Sequence, residues 1–219
     1  RSVAGNMAAI GILALQGGVI EHRHHLQALG LAVREVRQVG DLAGLRGLIL
    51  PGGESTCLGR LLRLTGLGEA IVAAWREGGL RLWGTCAGAI LMAAEVEGEE
   101  PHLGLMDMAI RRNAFGSQLD SFRCHAQVPA VSAEPVPLVF IRAPQILRVG
   151  PDLRVLLSLD GYVAAVESPA GDLATVFHPE LAESLAFHRH FAERCGLEVA
   201  PPTAVTATRP FLAPQTRLC

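Results

Sequence analysis

Cys86 stands in Gly84-Thr-Cys86-Ala-Gly88, between a short apolar stretch at 80–83 and a run of helix formers at 87–95. A nucleophile held between two glycines at a strand-to-helix junction has the layout of a nucleophile elbow. The tight turn brings neighbouring backbone close and lifts the central side chain to the carboxyl edge of a sheet. There a helix N-terminus favours thiolate over thiol. With 24 Gly and five Cys in 219 residues, about 0.06 G-x-C-x-G patterns arise by chance, so the match is informative. The plain alternative is a buried cysteine in a tight turn.

A thiol nucleophile needs an imidazole, and the imidazole a group to orient it. Phe177-His178-Pro179-Glu180-Leu181 follows an apolar run at 173–177. In extended chain, residues i and i+2 share a side, so the Glu180 carboxylate can face the His178 ring. Pro179 keeps this segment from coiling into a helix. A third cluster, Pro51-Gly52-Gly53-Glu54-Ser55-Thr56, again joins an apolar run to a helix-like stretch. Its backbone N–H groups can hold an oxyanion or a carboxylate, or it is a plain turn in which Glu54 or Ser55 caps the helix. Arg112 and Arg142 lie beside turn residues, where either can fork onto a substrate carboxylate. In Glu21-His22-Arg23-His24-His25 only His22 and His25 share a helical face, with no carboxylate to complete a metal set. A surface histidine cluster is the expectation there. His188 and His190, two apart on a helix, diverge.

These residues need elements to position them. Apolar runs at 9–15, 47–50, 80–83, 136–141, 155–159, 162–166 and 173–177 read as strands, and 31–36 alternates. The spacing predicts helices at 19–29, 54–64, 68–75, 87–95 and 181–195. This alternation is the α/β pattern. It predicts a three-layer, open, mostly parallel or mixed sheet with helices on both faces, and antiparallel hairpins in the second half. One domain is expected over 7–196. Residues 1–6, ahead of a plausible start at Met7, read as an expression remnant, and 197–219 as a Pro-rich tail.

Composition excludes several chemistries. A net charge of −2 argues against a nucleic-acid surface or a polybasic membrane surface. All 19 basic residues are Arg, so a lysine Schiff base and a Walker-A phosphate loop are both impossible. Five widely spaced cysteines without C-x-x-C argue against a zinc ribbon and for reduced thiols in the cytoplasm. Neither a secretory signal nor an 18-residue apolar span is visible.

Taken together, the G-T-C-A-G elbow, the P-G-G-E-S-T turn and F-H-P-E-L resemble the class I glutamine amidotransferase family. Leu13-Ala-Leu-Gln-Gly17, Leu103-Gly-Leu-Met-Asp107, Arg112-Asn-Ala-Phe-Gly116 and Phe140-Ile-Arg-Ala-Pro144 narrow the likeness. They point to the glutaminase subunits of two-component pyridoxal 5′-phosphate synthases. The resemblance runs from about Met7 to Cys195. It implies Cys86 as nucleophile, His178 as base and Glu180 as orienter. It also implies that Gly52, Gly53, Glu54, Arg112, Ile141 and Arg142 bind L-glutamine, and that backbone at Gly52 and Ala87 forms the oxyanion hole. Neither metal nor cofactor is expected, and the implied partner is the synthase subunit that receives the ammonia. Gly18 stands where the family commonly has Ala, Cys57 where it has Thr, and the tail runs past the usual end. The competing readings are a glutaminase serving another synthase, a non-catalytic regulatory protein on this fold, and a cysteine peptidase or thiol stress protein on a related one.

Overall fold

The structure is a computed structural model that describes residues 9–112, 121–199 and 216–218. The early half alternates strand and helix: β1 (Ile10–Leu13), α1 (Val19–Ala28), β2 (Val33–Val36), β3 (Gly47–Leu50), α2 (Ser55–Leu64), α3 (Leu67–Arg76), β4 (Arg81–Thr85) and α4 (Ala87–Met92). A run of strands follows: β5 (Ala93–Val96), β6 (Met106–Arg111), β7 (Ser121–Ala126), β8 (Val136–Ile141), β9 (Gln145–Val149), β10 (Arg154–Leu159), β11 (Tyr162–Glu167) and β12 (Leu173–Thr175). The 3₁₀ turn Pro179–Leu181, α5 (Ala186–Arg194) and β13 (Thr216–Leu218) complete the described residues.

The main sheet runs β2-β1-β3-β4-β12-β11-β9-β6-β5, with β10 added against β11. Strands β2, β1, β3, β4 and β12 are mutually parallel, whereas β11 is antiparallel to β12 and to β9. A smaller sheet orders β13-β7-β8. From β1 the chain crosses outward to β2, and from β3 it crosses the opposite way to β4. Right-handed crossovers in opposite directions place their helices on opposite faces. Accordingly α1 packs with α5, while α2 packs with α3 and α4. The reversal between β1 and β3 is a topological switch point, and ligand crevices in such sheets form at the carboxyl ends beside it.

Strands β1, β3 and β12 are buried along their whole length, which is why they read as continuous apolar runs rather than alternating ones. Trp83 on β4 lies within aromatic contact of Phe187 and Phe191 from α5, and Phe177 packs on Phe187 and Phe140. This cluster ties the last helix to the strand that carries the elbow. Asp172, 1% exposed, accepts from Leu82 N (2.9 Å), Trp75 Nε1 (3.0 Å) and Ser168 Oγ (3.0 Å) and locks the entry of β12 beside β4.

Three expectations change. The helix expected over 87–95 stops at Met92, and the chain turns at once into β5, which pairs with β6. The helix expected from Leu181 starts only at Ala186, because Pro179–Leu181 forms a separate tight turn. Cys124, buried on β7, is in a disulfide rather than a free thiol, while Cys57, Cys86 and Cys195 are free. Residues 1–6, most of the expected tail and residues 113–116 of the Arg112–Gly116 segment lie outside the described residues. Within that tail, Thr216–Leu218 pairs in parallel with β7.

Candidate active site

Steric contact dictates the elbow. A Cβ on Gly88 would sit 1.8 Å from the Leu50 carbonyl oxygen, and one on Gly84 would sit 2.4 Å from the Gly88 carbonyl. Only glycine at both positions lets α4 rise this steeply off β4. Between them Cys86 adopts φ 51° and ψ −109°, a region costly for a residue with a side chain and typical of functional turns. Its N–H donates to Thr175 O at 2.8 Å, so the Cys86 backbone is pinned to the adjacent strand. The thiol points toward Ile141 O, 3.9 Å away. Because α4 spans six residues, it offers the thiol the positive end of a helix less than two turns long.

The imidazole arrives from the same neighbour. Parallel pairing sets Thr175 of β12 opposite Thr85 of β4, and His178 follows three residues later. Its N–H donates to Val139 O of β8 at 2.8 Å, which fixes the loop from the smaller sheet. His178 Nδ1 lies 2.7 Å from Glu180 Oε1, and a Cβ added to Gly52 would touch both His178 Cε1 and Cys86 Cβ, which places the ring beside the thiol. Burial alone would lower the pKa of His178. The adjoining Cys86 side chain and the hydrogen-bonded carboxylate of Glu180 overcome burial and push it up to about 10. Glu180 is 4% exposed. Burial would raise its pKa, but the imidazoles of His22 and His178 hold it below the ordinary carboxylate value. Glu180 thus favours the imidazolium form of His178, a ring placed beside the Cys86 thiol.

The glycine turn closes over this pair. A Cβ on Gly52 would meet His178 Cε1 at 2.8 Å and Cys86 Cβ at 3.6 Å, so the turn forms one wall of the site. Glu54 caps α2: its carboxylate accepts from Thr56 N at 3.1 Å and Cys57 N at 2.7 Å. The turn is therefore both a wall of the site and a capped helix start. Arg112 donates to Thr56 Oγ1 at 2.6 Å and to Glu99 at 3.2 Å, with Glu54 3.9 Å away. The Arg112 guanidinium therefore faces the same turn. Ile141 presents its carbonyl to the thiol, and Arg142 follows it at φ 44°. Ala87 is the first residue of α4, directly after the nucleophile. The expected residues thus lie at the carboxyl ends of β3, β4 and β12, with Arg112 following β6, Ile141 ending β8 and Arg142 after it.

Two contributors escaped the motif reading. Gln16, after β1, accepts from Glu54 N at 3.0 Å and donates to Cys57 Sγ at 3.2 Å, bracing the glycine turn. His22 and His25 are 0% and 3% exposed, which overturns the surface-cluster expectation. The signal was their shared helical face, which turns inward toward Glu180 and His188. His188 reaches this cluster while His190 pairs with Glu167, so those two do diverge. Among the described residues, no group of three or more His, Cys, Asp or Glu is arranged to hold a metal ion. No helix there is long and apolar enough to cross a membrane.

Comparison with known proteins gives this geometry a context. A family profile described as the SNO glutamine amidotransferase family matches residues 12–197. The pyridoxal 5′-phosphate synthase subunit PdxT of Syntrophus aciditrophicus is 56% identical over 192 residues, covering 88% of this chain and 85% of that protein. The protein of the same name from Deinococcus radiodurans is 50% identical over 193 residues, covering 85% of this chain and 97% of its own length. A crystal structure described as a glutamine amidotransferase superposes with a TM-score of 0.82 at 42% identity, over 87% of this chain and all of the other.

Proposed function

The chain belongs to the SNO glutamine amidotransferase family, and on that premise we propose that Cys86, His178 and Glu180 carry out its glutaminase reaction. It hydrolyses L-glutamine to L-glutamate and ammonia as the glutaminase subunit of a pyridoxal 5′-phosphate synthase, and the ammonia passes to the synthase subunit. The observation that supports the triad most directly is the placement of the His178 ring, with Nδ1 2.7 Å from Glu180 Oε1 and its Cε1 edge bordering Gly52 beside Cys86 Cβ.

In this reading the Cys86 thiolate attacks the side-chain amide carbon of glutamine and forms a C–S bond. The carbonyl oxygen becomes an oxyanion, held by backbone N–H groups near Gly52 and at Ala87. The His178 imidazolium gives its proton to the amide nitrogen, the C–N bond breaks and ammonia leaves. His178, now neutral, takes a proton from water. The resulting hydroxide attacks the γ-glutamyl thioester, glutamate departs and the imidazolium–thiolate pair is restored. Glu180 stays ionised throughout and keeps the ring in one tautomer. Gly53, Glu54, Arg112, Ile141 and Arg142 bind the amino-acid end of glutamine, with a guanidinium matching its α-carboxylate. The lack of Lys agrees with this division of labour, because imine chemistry on a sugar phosphate must then occur on the partner. The cytoplasm is the setting we propose, with Cys86 a free thiol although Cys124 is in a disulfide.

The test is glutamate release by wild type and Cys86→Ala, each with and without the synthase subunit. Wild-type turnover should rise on adding the partner, and Cys86→Ala should be inactive in both arms while remaining folded. Turnover retained by Cys86→Ala would refute the assignment.

A further inference from the structure

Glu180 leaves an unanswered donor problem. Its Oε1 is engaged by His178, but Oε2 is fully buried and has no hydrogen-bond partner. An unsatisfied buried carboxylate oxygen is expensive. Nε2 of His22 lies 3.5 Å from it. His22 sits on the inward face of α1, itself 0% exposed. Its Nδ1 is 2.8 Å from Nε2 of His188 on α5, also 0% exposed, and the remaining ring nitrogen of His188 has no partner.

Proton counting leaves one consistent arrangement. Burial holds His22 neutral, with its pKa lowered to about 4, and pushes His188 well below its ordinary value. Each ring therefore carries a single N–H. If His22 carried it on Nδ1, a bare lone pair would face the Glu180 carboxylate. His188 would then have to accept at Nε2, leaving an N–H stranded at Nδ1. If His188 carries its proton on Nε2, it donates to His22 Nδ1. His22 then bears its own proton on Nε2, aimed at Glu180, and only a lone pair on His188 is left over. Thr85 Oγ1 is also 3.5 Å from His22 Nε2, but a hydroxyl rotates to suit either partner, whereas a carboxylate only accepts. The groups facing His22 are thus Trp83 and Thr85 on β4, His188 on α5, His25 on α1, and His178 and Glu180 after β12.

We propose that His22 is a positioning residue for the catalytic triad, donating its Nε2–H to Oε2 of Glu180 in a tautomer fixed by His188. The inference rests on the triad reading above. It extends the line of contacts to His188→His22→Glu180←His178 and Cys86, across 166 residues of sequence between the two buried histidines. With both oxygens engaged, the carboxylate cannot rotate away from His178 and stays ionised in a site that would otherwise protonate it. The imidazolium–thiolate pair depends on that charge.

The experiment uses the complex with the synthase subunit and three glutaminase subunits: wild type, His22→Leu and His22→Gln. Glutamine kinetics are measured, together with the pH dependence of iodoacetamide labelling at the Cys86 peptide, read by mass spectrometry. His22→Leu should lose about tenfold to a hundredfold in kcat, the size of a lost hydrogen bond to a charged group, with KM within about twofold. Its labelling midpoint should move to higher pH. His22→Gln, whose amide keeps a donor near the Nε2 position, should recover most of both. Wild-type behaviour in a folded His22→Leu overturns the proposal, and so does equal impairment of Leu and Gln. Should the Leu variant not fold, the imidazole ¹⁵N spectrum of the unaltered protein decides: His22 must be protonated at Nε2, and protonation at Nδ1 overturns the proposal. If Cys86→Ala is inactive while His22→Leu is normal, the triad stands and only this inference falls.

Discussion

Lowering the pH from 7 to 5 should destabilise the fold well before any carboxylate titrates, because of the two histidines buried behind the triad. His22 and His188 are both 0% exposed, with the His22 pKa lowered to about 4 and that of His188 well below 6.5. In the unfolded chain each titrates near 6.5. Between about pH 4 and 6.5 the unfolded state therefore binds more protons than the folded one, and stability falls as the pH drops through that window. For His22 alone the full shift amounts to about 3 kcal/mol, of which about 2 kcal/mol is already lost at pH 5. His188, held neutral by burial in the same way, adds to the loss in the same direction, against a total domain stability on the order of 5–15 kcal/mol. His178 opposes this only weakly, because its stabilising contribution is nearly complete at pH 7 and reaches full size below 6.5. Its pKa is raised to about 10, so its contribution is fully present below 6.5 and is lost only as the pH climbs through 10. Glu180, lowered from its ordinary value, matters only at still lower pH. Urea unfolding at pH 7 and pH 5, at fixed ionic strength, measures the difference. The midpoint should fall at constant slope, and His22→Gln should make the drop smaller. Equal stability at the two pH values would mean that these rings are not buried in the neutral form.

Other perturbations separate folding from chemistry. Gly88→Ala forces a Cβ to 1.8 Å from backbone that cannot step aside; a loss of about 3 kcal/mol or more is expected, read as poor soluble yield or an early urea midpoint. Gly52→Ala meets only the far edge of the His178 ring, at 2.8 Å. It should leave the melting temperature nearly unchanged while lowering kcat about a hundredfold, the cost of moving a catalytic group by an ångström. Asp172→Ala strips the acceptor from Leu82 N, Trp75 Nε1 and Ser168 Oγ and should cost about 3 kcal/mol or more, with residual activity tracking the folded fraction.

Much of the site was legible because steric demands write themselves into composition. The apolar run 47–50 ends in Pro-Gly-Gly, and the structure ends β3 at Leu50. Gly84 and Gly88 bracket Cys86 because the crossing of β4, α4 and β3 tolerates no side chain there. Residues 87–95 misled because Ala, Leu and Met favour helices locally, whereas pairing with β6 draws Ala93–Val96 into a strand. Tertiary pairing overrides propensity in such short segments. The start of α5 was misplaced for a related reason: Pro179–Leu181 serves the site rather than the helix. His22 was misread because a histidine's surroundings, not its type, decide whether it is wet. The ring that it meets lies far along the chain on α5.

Among the described residues, β12, three residues long, is the strand that joins the parallel set ending at β4 to the antiparallel neighbour β11. Cys86 hangs from one side of this seam by a single amide, and His178 is its immediate continuation. The seam therefore works as a zipper whose parting separates sulfur from imidazole while every other strand is still in place. Warming the protein should silence turnover before circular dichroism registers any melting, so catalysis itself becomes the most sensitive gauge of whether the two halves remain stitched together.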